Sequence, residues 1–353
     1  MRLRAQAPRD RDLLLFTQQL AIMVGSGLPI IDSLKTLRKH SNHSTLQCAI
    51  EAALTAIANG SSLSEGLRAS PRVFNTFYTA VIDGAERGGT LEESLNLLCQ
   101  TISSQREIKQ CCIAAMTYPL IVITILALTI IGLMIYVVPT FEDLFAQSGQ
   151  ALPWLTERIV NISRGLTEHL AELAAALVGI PATLMILRAR GEYSRPIWLD
   201  RRLLQAPLIL PLLHARYGAL IARTLSSLTR AGIPIIESLQ VSSRIIRNQW
   251  VARELMAMRV AIIQGSSLSV ACSQAASLPP LLSQLIAIGE RSGRLEESLT
   301  KAATHFESDF RSHVTSLTRL AEPCLVLTVG CVVGVFVVAM YLPIFELGTL
   351  VAR

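Results

Sequence analysis

The sequence predicts an all-α membrane protein, built from two copies of one helical bundle and three membrane-spanning helices. Three observations predict it: the chain is unusually apolar, it repeats itself at a nearly constant spacing, and the repeated motifs are helix punctuation. Of 353 residues, 51% are hydrophobic and only 16% charged, and the mean hydropathy is +0.46. A soluble domain usually carries about 25% charged residues, so the surplus apolar surface needs a solvent other than water. The net charge of +6 reads as a topology signal rather than a nucleic-acid surface. Cys48, Cys99, Cys111, Cys112, Cys272, Cys324 and Cys331 are odd in number and lack Cys-x-x-Cys spacing. That excludes a disulfide framework or zinc ribbon and leaves structural thiols.

The first element is a soluble bundle, residues 1–110. Leu13–Phe16 is too short to be the apolar core of a signal peptide. Leu13–Val24 is apolar at helical spacing and stops at Gly25 and Gly27, residues suited to a left-handed helix end. Pro29 then opens the next helix, where a missing N–H costs nothing. Asn59-Gly60 closes another. Ser62 with Glu65, and Thr90 with Glu93, read as capping boxes. No period-two alternation is bounded by hairpin turns, so strands are not expected.

The first span is assigned to residues 111–138, inside the uncharged stretch Cys111–Phe141. A hydrocarbon core of about 30 Å needs about 20 helical residues. A short external loop, 139–169, follows. The second span, Leu170–Leu187, is the weakest, because Glu172 interrupts it and Pro181 sits inside it. Arg188, Arg190, Arg195, Arg201 and Arg202 crowd the stretch after it. Lys and Arg favour the cytoplasmic side, so this segment is needed to return the second bundle, 188–322, to the side of the first. The third span is 323–345 and the tail 346–353 ends outside, with the N-terminus inside.

Self-comparison justifies the duplication. Gly27-Leu28-Pro29-Ile30-Ile31 returns as Gly232-Ile233-Pro234-Ile235-Ile236, and Gly60-Ser61-Ser62-Leu63-Ser64 as Gly265-Ser266-Ser267-Leu268-Ser269. Glu86-Arg87-Gly88-Gly89-Thr90-Leu91-Glu92-Glu93 returns as Glu290-Arg291-Ser292-Gly293-Arg294-Leu295-Glu296-Glu297, shifted by one residue. Pro119 then matches Pro323, and Pro139 matches Pro343, so the repeat includes the membrane helix. Val270 stands where Glu65 stood and Arg294 replaces the Thr90 cap, so the second bundle is expected to rely more on packing. A helical bundle needs these glycines, prolines and caps for its fold alone.

The ordered, duplicated set resembles the type II secretion protein F / type IV pilus PilC-type inner-membrane platform family, from about Leu13 to Phe345. The residues that carry it are Phe16 and Gln19-Leu20 running into Gly27-Leu28-Pro29, the Gly60 and Glu86 motifs, Tyr118-Pro119, and their second set through Gly289-Glu290 to Glu322-Pro323. The resemblance implies two cytoplasmic six-helix domains and three spans in a bacterial inner membrane. It also implies a homo-oligomeric platform that meets a cytoplasmic assembly ATPase, prepilin or pseudopilin subunits and other inner-membrane assembly proteins. Two departures stand out. The N-terminal extension is very short, which puts in doubt contacts made through a longer one, and Ala85-Glu86 stands where the second copy has Gly289-Glu290. The compact length looks more like the type IVb pilus branch.

Catalysis is not expected, nor is a cofactor. There is no Gly-x-x-x-x-Gly-Lys-Ser/Thr phosphate loop, no Gly-x-Ser-x-Gly and no His-Glu-x-x-His. His40 and His43 lack a third ligand nearby. Candidate partner or fold residues are Gly27, Pro29, Gly60, Glu86, Gly89, Leu91 and Glu92, with Gly232, Pro234, Gly265, Glu290, Gly293, Leu295 and Glu296. Glu86, Glu92 and Glu93 are calcium candidates, although the helix dipole explains acids in a first turn equally well. Tyr118, Pro119, Glu322 and Pro323 are candidates for coupling bundle movement to the spans. Gly330 and Gly334 form a Gly-x-x-x-Gly pair that permits close helix packing. A transporter or channel with internal repeats is the competing class, but here most of each repeat is soluble bundle.

Overall fold

The computed structural model describes residues 10–140, 154–168, 210–246 and 248–351, and among these every regular element is helical. The chain divides into two compact units. One holds Met1–Cys111 with Pro196–Val314, the other Cys112–Arg195 with Thr315–Arg353. The expected second span, Leu170–Leu187, and the arginine-rich stretch after it lie outside the described residues.

In the first unit, the first copy folds as α1 (Asp10–Gly25), α2 (Ile30–His40), α3 (Ser44–Ala58), α4 (Leu63–Arg68), α5 (Thr76–Gly88) and the first part of α6 (Leu91–Gly132). After α6 the chain passes through a π-helical turn, Leu133–Val137, and the stretch expected to be a loop contains α7 (Trp154–Glu168). The second copy repeats the pattern as α8 (Leu210–Arg230), α9 (Ile235–Ile245), α10 (Gln249–Ile263), α11 (Leu268–Ser273), α12 (Pro280–Ser292) and α13 (Leu295–Val351). The one-residue change of spacing falls between the fourth and fifth helices. Ala69–Asn75 connects them in the first copy and the shorter Gln274–Pro279 in the second.

Each copy closes a core of its own. Phe16, Leu20, Leu34, Ile50, Phe74, Tyr78, Ile82 and Leu95 fill the first, with tilted ring pairs at 5.7 Å (Phe16–Phe74) and 5.1 Å (Phe74–Tyr78). The Tyr78 hydroxyl lies 3.2 Å from Thr17 Oγ1, and burial pushes its pKa well above the usual phenol range. Ile221, Leu225, Leu239, Leu255, Leu282, Ile286 and Phe306 fill the second core. There Arg223 donates two hydrogen bonds to Glu307, at 2.9 and 2.8 Å, where the first copy has Gln18 and Ser103. Leu228 and Ala231 of the second copy are buried against the first core. A Cβ on Gly84 of α5 would come within 2.6 Å of the Ala231 carbonyl and 2.9 Å of Ile233. Glycine at that position is therefore what lets the α8–α9 corner sit down on α5. Thr101 and Ser227 hydroxyls meet at 3.4 Å in the same contact, and Arg311 donates to Glu107 at 2.6 Å.

In the second unit, α6 and α13 supply two helices long and apolar enough to cross a membrane. Each begins as the last helix of its own bundle and runs on past a proline, Pro119 or Pro323. Met116, Leu120, Leu128, Val326 and Leu327 stand exposed along these helices, a surface that hydrocarbon solvates better than water.

Candidate functional site

The Gly60 and Glu86 motifs, 26 residues apart in sequence, converge at the N-terminus of α4. Ser62 caps that helix, accepting from the Glu65 N–H, and Glu65 returns the bond, so the expected capping box is complete. The Leu63 and Ser64 N–H groups, which an α-helix leaves unsatisfied, donate to the two oxygens of the Glu86 carboxylate, at 2.6 and 3.0 Å. Ser64 Oγ donates to Asp83 at 3.2 Å, and Asp83 is paired with Arg87 at 2.8 Å. The second copy repeats the central arrangement: Leu268 and Ser269 N–H donate to Glu290 at 2.7 and 3.1 Å. Its cap also survives, because Ser267 still accepts from the Val270 N–H, and only the return bond is lost. A carboxylate at a helix N-terminus is favoured by both the free N–H groups and the dipole.

The three calcium candidates do not converge on one point. Glu86 has both oxygens committed to α4. The Glu92 carboxylate lies over Gly25, and Glu93 is exposed. No group of three or more metal-binding side chains forms among the described residues. Glu296, the counterpart of Glu92, pairs with Arg230 at 2.6 Å. The expected Thr90 box is not formed either, since no hydrogen bond from the Glu93 N–H to the Thr90 hydroxyl occurs among the described residues.

The other motif residues take backbone roles. Gly27, Gly60, Gly89, Gly232, Gly265 and Gly293 are the residues with positive φ among those described. Gly89 and Gly293, both at φ 68°, end α5 and α12 in the left-handed region that a side chain would strain. Pro29 and Pro234 are N-caps of α2 and α9. Leu91 and Leu295 open α6 and α13 and pack against their own cores. His40 Nδ1 sits 2.9 Å from the Thr36 carbonyl and gathers no ligand set.

In the second unit, Tyr118, Glu322 and Pro323 are exposed and Pro119 lies inside α6. Neither proline opens a helix; both sit well within one. Nothing lies within 4 Å of a Cβ placed on Gly330 or Gly334, so the described chain does not pack against that face. The packed face of α13 is instead Phe336 and Ala339, which meet Met134 of the π turn, Val138 just after it and Val160 of α7. Thr156 and Ser163 of α7 donate to the backbone carbonyls of Ala339 (2.7 Å) and Met134 (2.6 Å). Sequence reasoning missed α7, Gly84 and the Glu86 clamp. A signal for the clamp was present, because the leucine of each Gly-Ser-Ser-Leu motif is followed at nearly the same distance by the glutamate of each Glu-Arg motif.

The profile of the family described as Type II secretion system (T2SS), protein F matches residues 16–139 and 221–343, once per copy. The type IV pilus assembly protein PilC of Pseudomonas aeruginosa is 32% identical over 343 residues, covering 97% of this chain and 91% of that protein. PilC of Myxococcus xanthus is 31% identical over 337 residues, with 96% and 80% covered. The type II secretion system protein F of Pseudomonas aeruginosa is 32% identical over 343 residues, with 97% and 84% covered.

Proposed function

The chain belongs to the type II secretion system protein F family, and on that premise we propose that it is the inner-membrane assembly platform of a type IV pilus or type II secretion machine. The observation that carries the reading is the ordered duplication: each family match spans one bundle together with its own apolar helix. In this role the bundles face the cytoplasm and receive a cytoplasmic assembly ATPase. The spans receive prepilin or pseudopilin subunits and hand them to the filament, and copies of the chain associate in the membrane. The protein itself does no chemistry. Its motif residues are spent on helix ends and on the clamp at α4 and α11, which supports a scaffold.

Deleting the gene in the source organism and counting surface filaments and secreted substrate tests this directly. Loss of both or either, restored by the gene in trans, is expected; normal filaments and normal secretion would overturn it. Orientation is tested separately with Cys48, which is exposed on the first bundle. A membrane-impermeant maleimide should label it in inverted vesicles and not in intact cells.

A further inference from the structure

The two hydroxyls of α7 land on two particular carbonyls. In an α-helix the carbonyl of residue i accepts from the N–H of residue i+4. For Ala339 that residue is Pro343, which has no N–H. Thr156 Oγ1 donates to Ala339 O at 2.7 Å in its stead. Pro139, the repeat counterpart of Pro343, sits just past the π-helical turn, where the Val138 N–H bonds to Leu133 O. That leaves Met134 O without its α-helical donor. The π-helical donor, at i+5, would be Pro139, which has none to give. Ser163 Oγ supplies the missing bond at 2.6 Å. Thr156, Val160 and Ser163 share one face of α7 at i, i+4 and i+7 spacing, and Val160 packs between them.

We propose that α7 is a strap whose Thr156 and Ser163 hydroxyls replace the amide hydrogens absent at Pro343 and Pro139, and that Ser163 holds the π turn in place. In hydrocarbon no water can replace a missing donor to a carbonyl, so the strap and the two prolines depend on each other. Should Ser163 leave, the Val138 N–H is the nearest donor for Met134 O. Its transfer from Leu133 O converts the turn to α-helix, which rotates the chain beyond it by about 100°, the angle of one helical residue. The equivalent stretch of α13, Val337–Tyr341, is α-helical, so proline alone does not set the π turn.

The test is a pair of double-mutant cycles on the full chain in lipid nanodiscs, read by hydrogen exchange of residues 133–140 and 337–345. Ser163→Ala should speed exchange in the first segment on the order of tenfold, the scale of a strong interhelical hydrogen bond in a bilayer, and Ser163→Thr should restore it. Thr156→Val should act likewise on the second segment. Pro139→Ala returns an N–H and should abolish the effect of Ser163→Ala; Pro343→Ala should do the same for Thr156→Val. Crossed pairs, Pro139→Ala with Thr156→Val and Pro343→Ala with Ser163→Ala, should be additive. Matched pairs that are also additive, or a Ser163→Ala chain with unchanged exchange, overturn the proposal. The readout is structural, so the outcome is independent of whether the chain serves a pilus, a secretion machine or neither.

Discussion

At the residue scale, the informative side chains are those whose polar atoms have been taken out of water. His214 of α8 has a buried Nε2 that finds no partner among the described residues. Burial holds its pKa below the usual imidazole value, against the opposing pull of Glu254. Glu254 is itself occupied, accepting from Trp250 Nε1 at 3.0 Å and from the Ser277 N–H at 3.1 Å. A histidine depressed in the folded state takes up its proton more readily when unfolded. Its contribution is therefore present above the unfolded pKa of about 6.5 and is lost as pH falls below it. Chemical denaturation of the full chain should show stability declining below about pH 6.5, with the decline reduced in His214→Gln. Burial also pushes the Cys272 thiol up to about 12, in keeping with a cysteine that packs and does not react. None of this was legible beforehand. His214 and Glu254 stand 40 positions apart in sequence, and Glu254 has no acidic counterpart at Ala49 or Ile50 of the first copy.

At the element scale, the smallest helices depend most on outside help. α4 and α11 are six residues each, too short to be stable alone. Each is pinned through two N–H groups to one carboxylate of the fifth helix of its copy. Glu86→Ala should cost about 1–3 kcal/mol, the penalty for unmaking bonds to a charged acceptor, and Glu290→Ala a similar amount. Gln at either position should recover part of the loss, because one acceptor oxygen remains; urea midpoints of the full chain check this. Helix starts and stops were largely legible, because Pro29, Gly60, Ser62, Gly89 and their repeats act locally on their own backbone. The continuation of α6 and α13 through Pro119 and Pro323 was not. Apolar composition announces a span, but it does not announce that the preceding bundle helix runs into it. The π turn is met by a donor from elsewhere in the chain, the Ser163 hydroxyl on Met134 O, so no local pattern points to it.

At the scale of the whole molecule, the duplication was readable because both copies kept the residues that set backbone direction. The docking of one copy on the other was not, because docking uses positions at which the copies differ. Gly84 accepts the α8–α9 corner; its counterpart, Ile288, is exposed. Ser227 is buried in the contact, while its counterpart Ile22 stands open to solvent. Gly84→Ala forces a methyl to within 2.6 Å of the Ala231 carbonyl and should cost about 1–3 kcal/mol as an overpacked contact. Ile288→Ala should stay within about 0.5 kcal/mol, as an exposed substitution does. Differential scanning calorimetry of the two variants separates the cases, and equal losses would show that the glycine is not what the contact requires.

The contrast between Gly84 and Ile288 also bears on how the chain could have grown. Two tandem copies that dock corner to helix have the makings of an array, in which every added copy offers the same landing place to the next. Among the described residues the landing place exists once. The branched side chain of Ile288 stands where a further corner would need a glycine, and the second copy has Gln284, Lys301 and His305 at the positions of Ala80, Leu97 and Thr101. The second copy thus lacks the glycine that seats a corner on the first. A third copy docked in the same way would meet the branched side chain of Ile288 where the existing contact meets the bare backbone of Gly84.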